Sequence, residues 1–207
     1  MRYKIGLLVC ALLGAFCACR SLGGIFQSPR QETLFREHYL EKPFYTAMLL
    51  HPYRYQNDEY LVDLTGKVLE LEYETTRSSV VVPLGTPMYI VGLDTKHVLA
   101  RVAGHSRPFR LLVQTRQGTV EDVAKELALV LTREPPLQLV RPEMRPVIEQ
   151  QGMARGMSRR EVLMSWGQPD KVNGVPGSSG FLEEWIYYGR RVHMFLENGT
   201  VTNWQHY

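Results

Sequence analysis

The stretch GMSRREVLMSWGQPD, residues 156–170, decides the fold of the C-terminal part of this 207-residue chain. Ser158 and Glu161 have the spacing of a capping box, in which the serine hydroxyl accepts a backbone N–H of the first helical turn and the carboxylate accepts the serine N–H. The helix is therefore predicted to run from Arg159 to Trp166. Gly167 ends this helix, and Pro169 prevents it from continuing.

The residues on either side of this helix complete a small domain. Glu184 to Tyr188 and Val192 to Leu196 alternate between two faces, as strands do. Asn198-Gly199 favours a type I′ hairpin into a third strand, Thr200 to Gln205. Upstream, Glu143 to Gln151 is rich in helix formers and predicts a short first helix. The sequence thus predicts two helices packed on three antiparallel strands.

Four short motifs follow one another in this region: Gly156 to Val162, Trp166 to Asp170, Trp185 to Tyr188 and Phe195 to Gly199. Their order and spacing resemble the small outer-membrane assembly lipoproteins of the SmpA/OmlA/BamE family. The resemblance covers about the last third of the chain. It implies an ααβββ domain that binds partner proteins and performs no chemistry.

The first twenty residues indicate export. Arg2 and Lys4 precede an apolar run, Ile5 to Phe16, that is typical of a secretory signal. The run reaches only to Cys19 before Arg20, which is shorter than the roughly 20 apolar residues that span a bilayer. Residues 1–18 are therefore interpreted as a signal peptide.

The end of this signal, Phe16-Cys17-Ala18-Cys19, resembles a lipobox, in which a small residue precedes an acylated cysteine. Cys19 is the expected lipidation site, and acylation with palmitate and further chains is expected to hold the protein firmly. Acylation of Cys17 and simple secretion are the alternatives. By the same resemblance, Arg20 in place of aspartate favours the outer membrane, with the protein on its periplasmic face.

Charge and cysteine content argue against several classes of function. Without Arg2 and Lys4 the 24 basic residues fall to 22, against 21 acidic residues, so no electrostatic case for nucleic acid remains. The three cysteines all lie at or before Cys19, which leaves the body without a disulfide, a thiol nucleophile or a cysteine zinc site.

The middle of the chain has mostly period-two hydrophobicity, which predicts short strands in a small barrel or sandwich. The phrase Val82 to Ile90 loosely resembles SH3-like barrels of bacterial envelope proteins. The predicted strands are Glu59 to Leu64, Val68 to Tyr73, Val80 to Val82, Met88 to Val91, Val98 to Val102 and Phe109 to Val113. One amphipathic helix, Val120 to Thr132, follows, with Thr119 as its N-cap.

Prolines 135, 136, 142 and 146 mark a second break in the chain. The predicted organisation is a lipid-anchored tether at residues 19–35, a β-rich domain with a C-terminal helix at 36–134, a proline-rich linker at 135–145 and an SmpA/OmlA-like domain at 146–207. The predicted fold class is α+β.

Enzymatic activity has little support in the sequence. The six histidines lack metal-ligand spacing, and no serine lies in a Gly-x-Ser-x-Gly elbow. We therefore expect no catalytic residue, cofactor or metal ion. A periplasmic hydrolase stays open if His51, His97 or His105 shares a pocket with a carboxylate. A peptidoglycan binder stays open if the tyrosines form a stacking groove; these are Tyr53, Tyr55, Tyr60, Tyr73 and Tyr89.

The expected function is a non-enzymatic envelope lipoprotein that binds an envelope protein complex, with outer-membrane assembly machinery as one candidate. Tryptophan and tyrosine dominate binding hot spots. The aromatic residues expected to contact a partner are Trp185, Tyr187, Tyr188 and Trp204. The loop Val172 to Gly180 is expected to be a flexible spacer or a contact loop.

Overall fold

The computed structural model describes residues 24–55, 59–64, 78–114, 118–177 and 180–207. Within these ranges the chain is a mixed α+β protein with four α-helices and two β-sheets, one of seven strands and one of four. The predicted α+β class is thereby confirmed. The signal segment with Cys17 and Cys19, Tyr73 and the predicted strand Val68 to Tyr73 lie outside the described residues.

Seven strands form the N-terminal sheet: β1 (Pro43–Thr46), β2 (Tyr53–Arg54), β3 (Tyr60–Asp63), β4 (Pro87–Leu93), β5 (His97–Val102), β6 (Phe109–Leu112) and β7 (Leu131–Thr132). Their spatial order is β2-β3-β6-β5-β4-β1-β7. All neighbours are antiparallel except β3 and β6, which are parallel. Four predicted strands overlap β3 to β6, whereas Val82 of the predicted Val80 to Val82 forms a single bridge with Leu50.

This sheet is open, so the expected barrel is wrong. Its edge strands, β2 and β7, are only two residues long. Regular spacing of short strands predicts how many strands form but not whether they close, since closure needs the last strand to pair with the first. Here the parallel β3–β6 pair and the late strand β7 beside β1 give a different order.

Helix α1, Pro29–Tyr39, was not predicted from the sequence and begins within the expected tether. Ser28 is its N-cap and Pro29 occupies its first turn, where proline is tolerated. Phe35 is fully buried, and the rings of Phe35 and Tyr39 stack at 4.8 Å. Upstream of the helix the chain is already fixed, because the Gln27 N–H donates to the Gly118 carbonyl.

Helix α2, Val120–Val130, agrees with the prediction except at its end, where Leu131 and Thr132 form β7. The Thr119 hydroxyl accepts the Asp122 N–H and caps the helix. Its apolar face, with Val123, Leu127 and Val130, packs into the same core as α1 and the sheet.

The proline-rich segment contains two short 3-10 helices, Pro136–Leu139 and Pro142–Met144, and leads directly into α3, Arg145–Glu149. Helix α4, Arg159–Trp166, has the predicted bounds and the predicted capping box: Ser158 Oγ accepts the Glu161 N–H, and a Glu161 carboxylate oxygen accepts the Ser158 N–H at 2.8 Å. The local signal was sufficient here because the cap and the helix stop both lie within ten residues.

The C-terminal sheet has four strands: β8 (Lys171–Gly177), β9 (Gly180–Tyr187), β10 (Val192–Glu197) and β11 (Thr200–His206). They are antiparallel in the order β11-β10-β9-β8. The expected three-stranded sheet is therefore incomplete, and the expected loop Val172 to Gly180 is mostly strand β8. Glycines and Pro176 hid this strand, but an edge strand tolerates a proline whose nitrogen faces away from its neighbour.

The two sheets belong to units that pack against each other at the end of α4. The Leu49 N–H donates to the Leu163 carbonyl at 3.2 Å, and Leu163 contacts both hydrophobic cores. Gly167 lies so close to Leu49 that a Cβ at this position would be 2.5 Å from the Leu49 oxygen. The Trp-Gly-x-Pro motif thus forms the joint between the units.

Within the described part of the chain, no helix is long and apolar enough to cross a membrane.

Candidate functional site

One face of the C-terminal sheet is packed against α3 and α4, and the other face is not. The packed face carries Trp185, Met194 and Leu196, which share a core with residues of both helices. Side chains directly opposite each other on neighbouring strands point to the same side. The register therefore places two rows on the other side, the outer face: Lys171, Ile186, His193 and Gln205, and Asn173, Glu184, Phe195 and Asn203.

A hydrogen-bonded polar group crosses this outer face. Asn173 Nδ2 donates to Glu184 Oε2 at 2.7 Å, and His193 Nδ1 lies 2.6 Å from Glu184 Oε1. The Tyr207 ring meets the His193 ring edge-on at 4.7 Å. The Asn173 and His193 contacts lower the pKa of Glu184, so this carboxylate is ionised at neutral pH. Three strands thereby hold one carboxylate in a fixed position on an open surface.

Apolar side chains surround this polar group. Phe195 is only partly buried, and Leu182 is 43% exposed. On the opposite face of the sheet, the β8–β9 hairpin carries Val172 at 50% and Phe181 at 47% exposure. Exposed apolar groups beside a fixed polar group are typical of surfaces that bind proteins. Leu182 and the β8–β9 hairpin were not predicted from the sequence, because the first predicted strand of this sheet began at Glu184.

The four residues predicted to contact a partner occupy different environments. Trp185 and Tyr187 are 5% and 3% exposed and belong to the core. Trp185 Nε1 donates to Glu183, and the Tyr187 hydroxyl donates to the Gly167 carbonyl at 3.0 Å. Trp204 is partly buried against the same core, whereas Tyr188 is 55% exposed. Tyr188 and the open edge of Trp204 are therefore the predicted residues that a partner reaches without unpacking the core.

Two ion pairs hold the helices of this unit. Arg141 donates to both carboxylate oxygens of Glu161, at 2.9 and 2.6 Å, and lowers the pKa of that carboxyl; the Ser158 hydrogen bonds lower it further. Arg159 donates to one carboxylate oxygen of Glu183, Oε1, and lowers the pKa of that carboxyl. Both carboxylates are buried, so each requires its arginine.

We expect Glu161→Gln to reduce stability in a pH-dependent way. The lowered pKa of Glu161 means that its contribution is present above about pH 4.5, the ordinary glutamate value, and is lost as the pH falls through the lower pKa of the folded state. Urea unfolding should show the variant about 1–3 kcal/mol less stable at pH 7. The difference between wild type and variant should shrink at pH 3; a difference that does not depend on pH would contradict the assignment.

In the N-terminal unit, one of the histidines named for a hydrolase, His97, does contact a carboxylate, that of Asp94. His97 Nδ1 lies 2.9 Å from Asp94 Oδ1, and Arg110 joins Asp94 to Glu59. Burial raises the pKa of Asp94, but hydrogen bonds from the Lys96 amide and from His97 lower it more. The His97 side chain is 10% exposed and Asp94 is already bonded to several donors, so the arrangement fits a structural ion cluster.

The other histidines named for a hydrolase lie elsewhere. His105 packs edge-on against the rings of Tyr60 and Phe109. His51 lines a pocket of about 220 Å³ at the joint between the units, together with Trp166, Asp170 and Arg190, so one of the three named histidines does share a pocket with a carboxylate. In the described ranges no group of three or more histidine, cysteine, aspartate or glutamate residues is placed to hold a metal ion.

The tyrosines named for a stacking groove do not share one environment. Tyr55 lies beneath Arg110, with 5.9 Å from the guanidinium carbon to the ring centre. Tyr60 packs on Phe109, and Tyr89 lies beneath Arg101. Tyr53 lines a small cavity near the joint.

Comparisons of the chain with protein-family models, with curated proteins and with solved structures find no match to any of them.

Proposed function

We propose that this protein is a cell-envelope lipoprotein, anchored through Cys19 on the periplasmic face of the outer membrane, whose C-terminal unit binds an envelope protein complex without catalysis. The SmpA/OmlA/BamE-like motifs support this role. So does the arrangement of two helices on one side of an antiparallel sheet, with an additional strand β8. Outer-membrane assembly machinery is the partner that the resemblance favours.

The observation that carries the proposal is the outer face of the C-terminal sheet. A carboxylate fixed by Asn173 and His193 sits on the same face as the partly exposed Phe195 and Leu182. Fixed side chains lose little conformational entropy when a partner binds, which favours affinity. The carboxylate that contacts His97 is bonded to Arg110, whereas His51 shares a pocket with Asp170, which keeps a periplasmic hydrolase as the alternative function.

A site-specific crosslinking experiment tests this proposal. A photoreactive phenylalanine analogue is placed at Phe195 on the outer face or, as the control, at Val91, which is 37% exposed on the N-terminal sheet. We expect irradiation of intact envelopes to crosslink an outer-membrane assembly component at position 195 and not at position 91. Equal labelling from both positions, or none from position 195, would contradict the proposal.

The anchor is tested separately. The Cys19→Ser variant should lose radiolabelled palmitate and leave the membrane fraction, whereas Cys17→Ser should keep both. Label that persists in Cys19→Ser and disappears in Cys17→Ser would move the anchor to Cys17.

A further inference from the structure

Strand β8 is the one long open edge among the strands that the structure describes. Its seven residues pair with β9 on one side only. The opposite edge of the same sheet, β11, is partly covered. The Val201 N–H donates to the Met157 carbonyl, and the Val201 carbonyl accepts the Gly156 N–H. The edges of the N-terminal sheet, β2 and β7, have two residues each. Short or covered edges are a usual protection against strand addition, and β8 is neither, so its protection is limited to Lys171 and Pro176 at its two ends.

The backbone groups on the free side of β8 follow from the contacts of Phe181. Its N–H donates to the Asn198 side chain at 3.1 Å and its carbonyl accepts the Asn198 N–H at 2.9 Å, so both groups point away from β8. The facing pair, Pro176 and Phe181, is therefore a non-hydrogen-bonded pair. By alternation, Val172, Gly174 and Pro176 direct their backbone groups outward. The free edge thus offers the N–H groups of Val172 and Gly174 and three carbonyls.

The side chains along this edge fit an incoming strand. The Phe181 ring lies over Gly174, where a Cβ would be 2.7 Å from the ring, so the glycine gap is filled with apolar surface. Val172 and Phe181 lie on the same face as Trp185, and both are about half exposed. Lys171 lies on the opposite face and is exposed. The edge is therefore apolar on one face and positively charged at one end of the other.

We propose that β8 accepts an extended segment of the partner protein as a fifth strand. The segment carries apolar side chains that pack on Val172 and Phe181, and an acidic side chain on its other face opposite Lys171. Main-chain hydrogen bonds supply the affinity in this mode and the side chains supply the specificity. This inference rests on the proposed function and names how the partner is held.

In the register centred on Gly174, a second copy of the chain is a poorer occupant for this edge. Twofold antiparallel pairing centred on Gly174 would place Val172 opposite Pro176 of the other copy. Proline has no N–H, so the Val172 carbonyl of each copy would lose its donor. A strand without proline satisfies every outward group of Val172, Gly174 and Pro176.

Binding of a synthetic peptide to the isotope-labelled full-length protein in detergent micelles tests the inference. The probe is an acetylated nonapeptide of alternating valine and threonine with one glutamate among the threonines. We expect NMR shift changes and slowed amide exchange at Val172 and Gly174. A peptide N-methylated on the amides that face β8 should bind at least fivefold more weakly.

The matched variants are Val172→Pro, which deletes one outward N–H, and Val172→Thr, which keeps it. Proline is tolerated where the nitrogen faces away from the neighbouring strand, so the fold is expected to persist, and an unchanged amide spectrum elsewhere verifies this. Val172→Pro should weaken peptide binding at least fivefold, and Val172→Thr less than twofold. Equal binding by both variants, or shift changes confined to the outer face around His193 and Phe195, would overturn the inference.

The same variants separate this inference from the proposed function. If Val172→Pro abolishes the envelope crosslink from position 195, the edge holds the partner. The other outcome is an unchanged crosslink in Val172→Pro, together with plain peptide that still binds the wild-type protein more tightly than N-methylated peptide does. In that case β8 can accept a strand but is not the partner's site, and the proposed function stands without strand addition.

Discussion

Gly167→Ala is expected to lower the free energy of unfolding by about 3–5 kcal/mol. Gly167 has φ 76° and ψ −166°, a region that is open almost only to glycine. The added Cβ would also be 2.5 Å from the Leu49 oxygen and 3.1 Å from the His51 ring. Because the backbone strain and the clash occur together, either the last turn of α4 or the contact between Gly167 and Leu49 must shift.

Gly156→Ala is the matched control for this prediction. Gly156 also has a positive φ, 84°, but a Cβ there would meet no atom within 4 Å. This control therefore carries the backbone strain without the clash and should cost about 1–2 kcal/mol. Urea unfolding of the three proteins measures both contributions. Equal losses for the two variants would show that the contact with Leu49 does not stabilise the joint.

Phe35→Ala should cost about 3–5 kcal/mol, as expected for a fully buried phenylalanine. Phe35 is the only fully buried residue of α1 and contacts two rings, Phe26 at 5.3 Å and Tyr39 at 4.8 Å. Its removal leaves a cavity between α1 and the N-terminal sheet. The free energy of unfolding and the amide exchange rates of α1 are the measurements.

The control for Phe35→Ala is Glu37→Ala, an exposed position on the same helix. This change should be within about 0.5 kcal/mol of wild type, as surface substitutions usually are. If Phe35→Ala also has little effect, the helix contributes nothing to the stability of the N-terminal unit.

The parts of the fold that the sequence predicts best are those specified within one local segment. Ser158, Glu161 and Gly167 fix α4 at both ends, and Asn198 and Gly199 have the positive φ angles, 49° and 77°, of the predicted hairpin turn. Thr119 likewise marks the start of α2.

The elements that the sequence missed depend on contacts with distant residues. Strand β8 carries two glycines and a proline and is held by its register with β9, which no local pattern shows. Helix α1 has only one fully enclosed apolar side chain, Phe35, so its periodic signal is weak. The order of the N-terminal sheet depends on the pairing of β3 with β6, which are separated in sequence by β4 and β5.

The sequence predicted that the candidate surface would lie on the C-terminal sheet, but it did not predict which residues are exposed there. An aromatic-rich sheet was expected, and Trp185 and Tyr187 were expected to contact a partner. Alternation shows that these two share a face, but only the packing of α3 and α4 decides which face is enclosed. The exposed residues are consequently on the opposite side of the sheet and on the β8–β9 hairpin.

The first buried residues lie close to Cys19 in the sequence, which limits how far the folded body can lie from a lipid attached at Cys19. Ile25 and Phe26 are already enclosed and Gln27 is bonded to Gly118, so the folded body begins about five residues after Cys19. Five residues span at most about 18 Å even when fully extended. If Cys19 carries the lipid, this short connection holds the folded body against the bilayer surface. A partner would then have to bind close to the membrane surface.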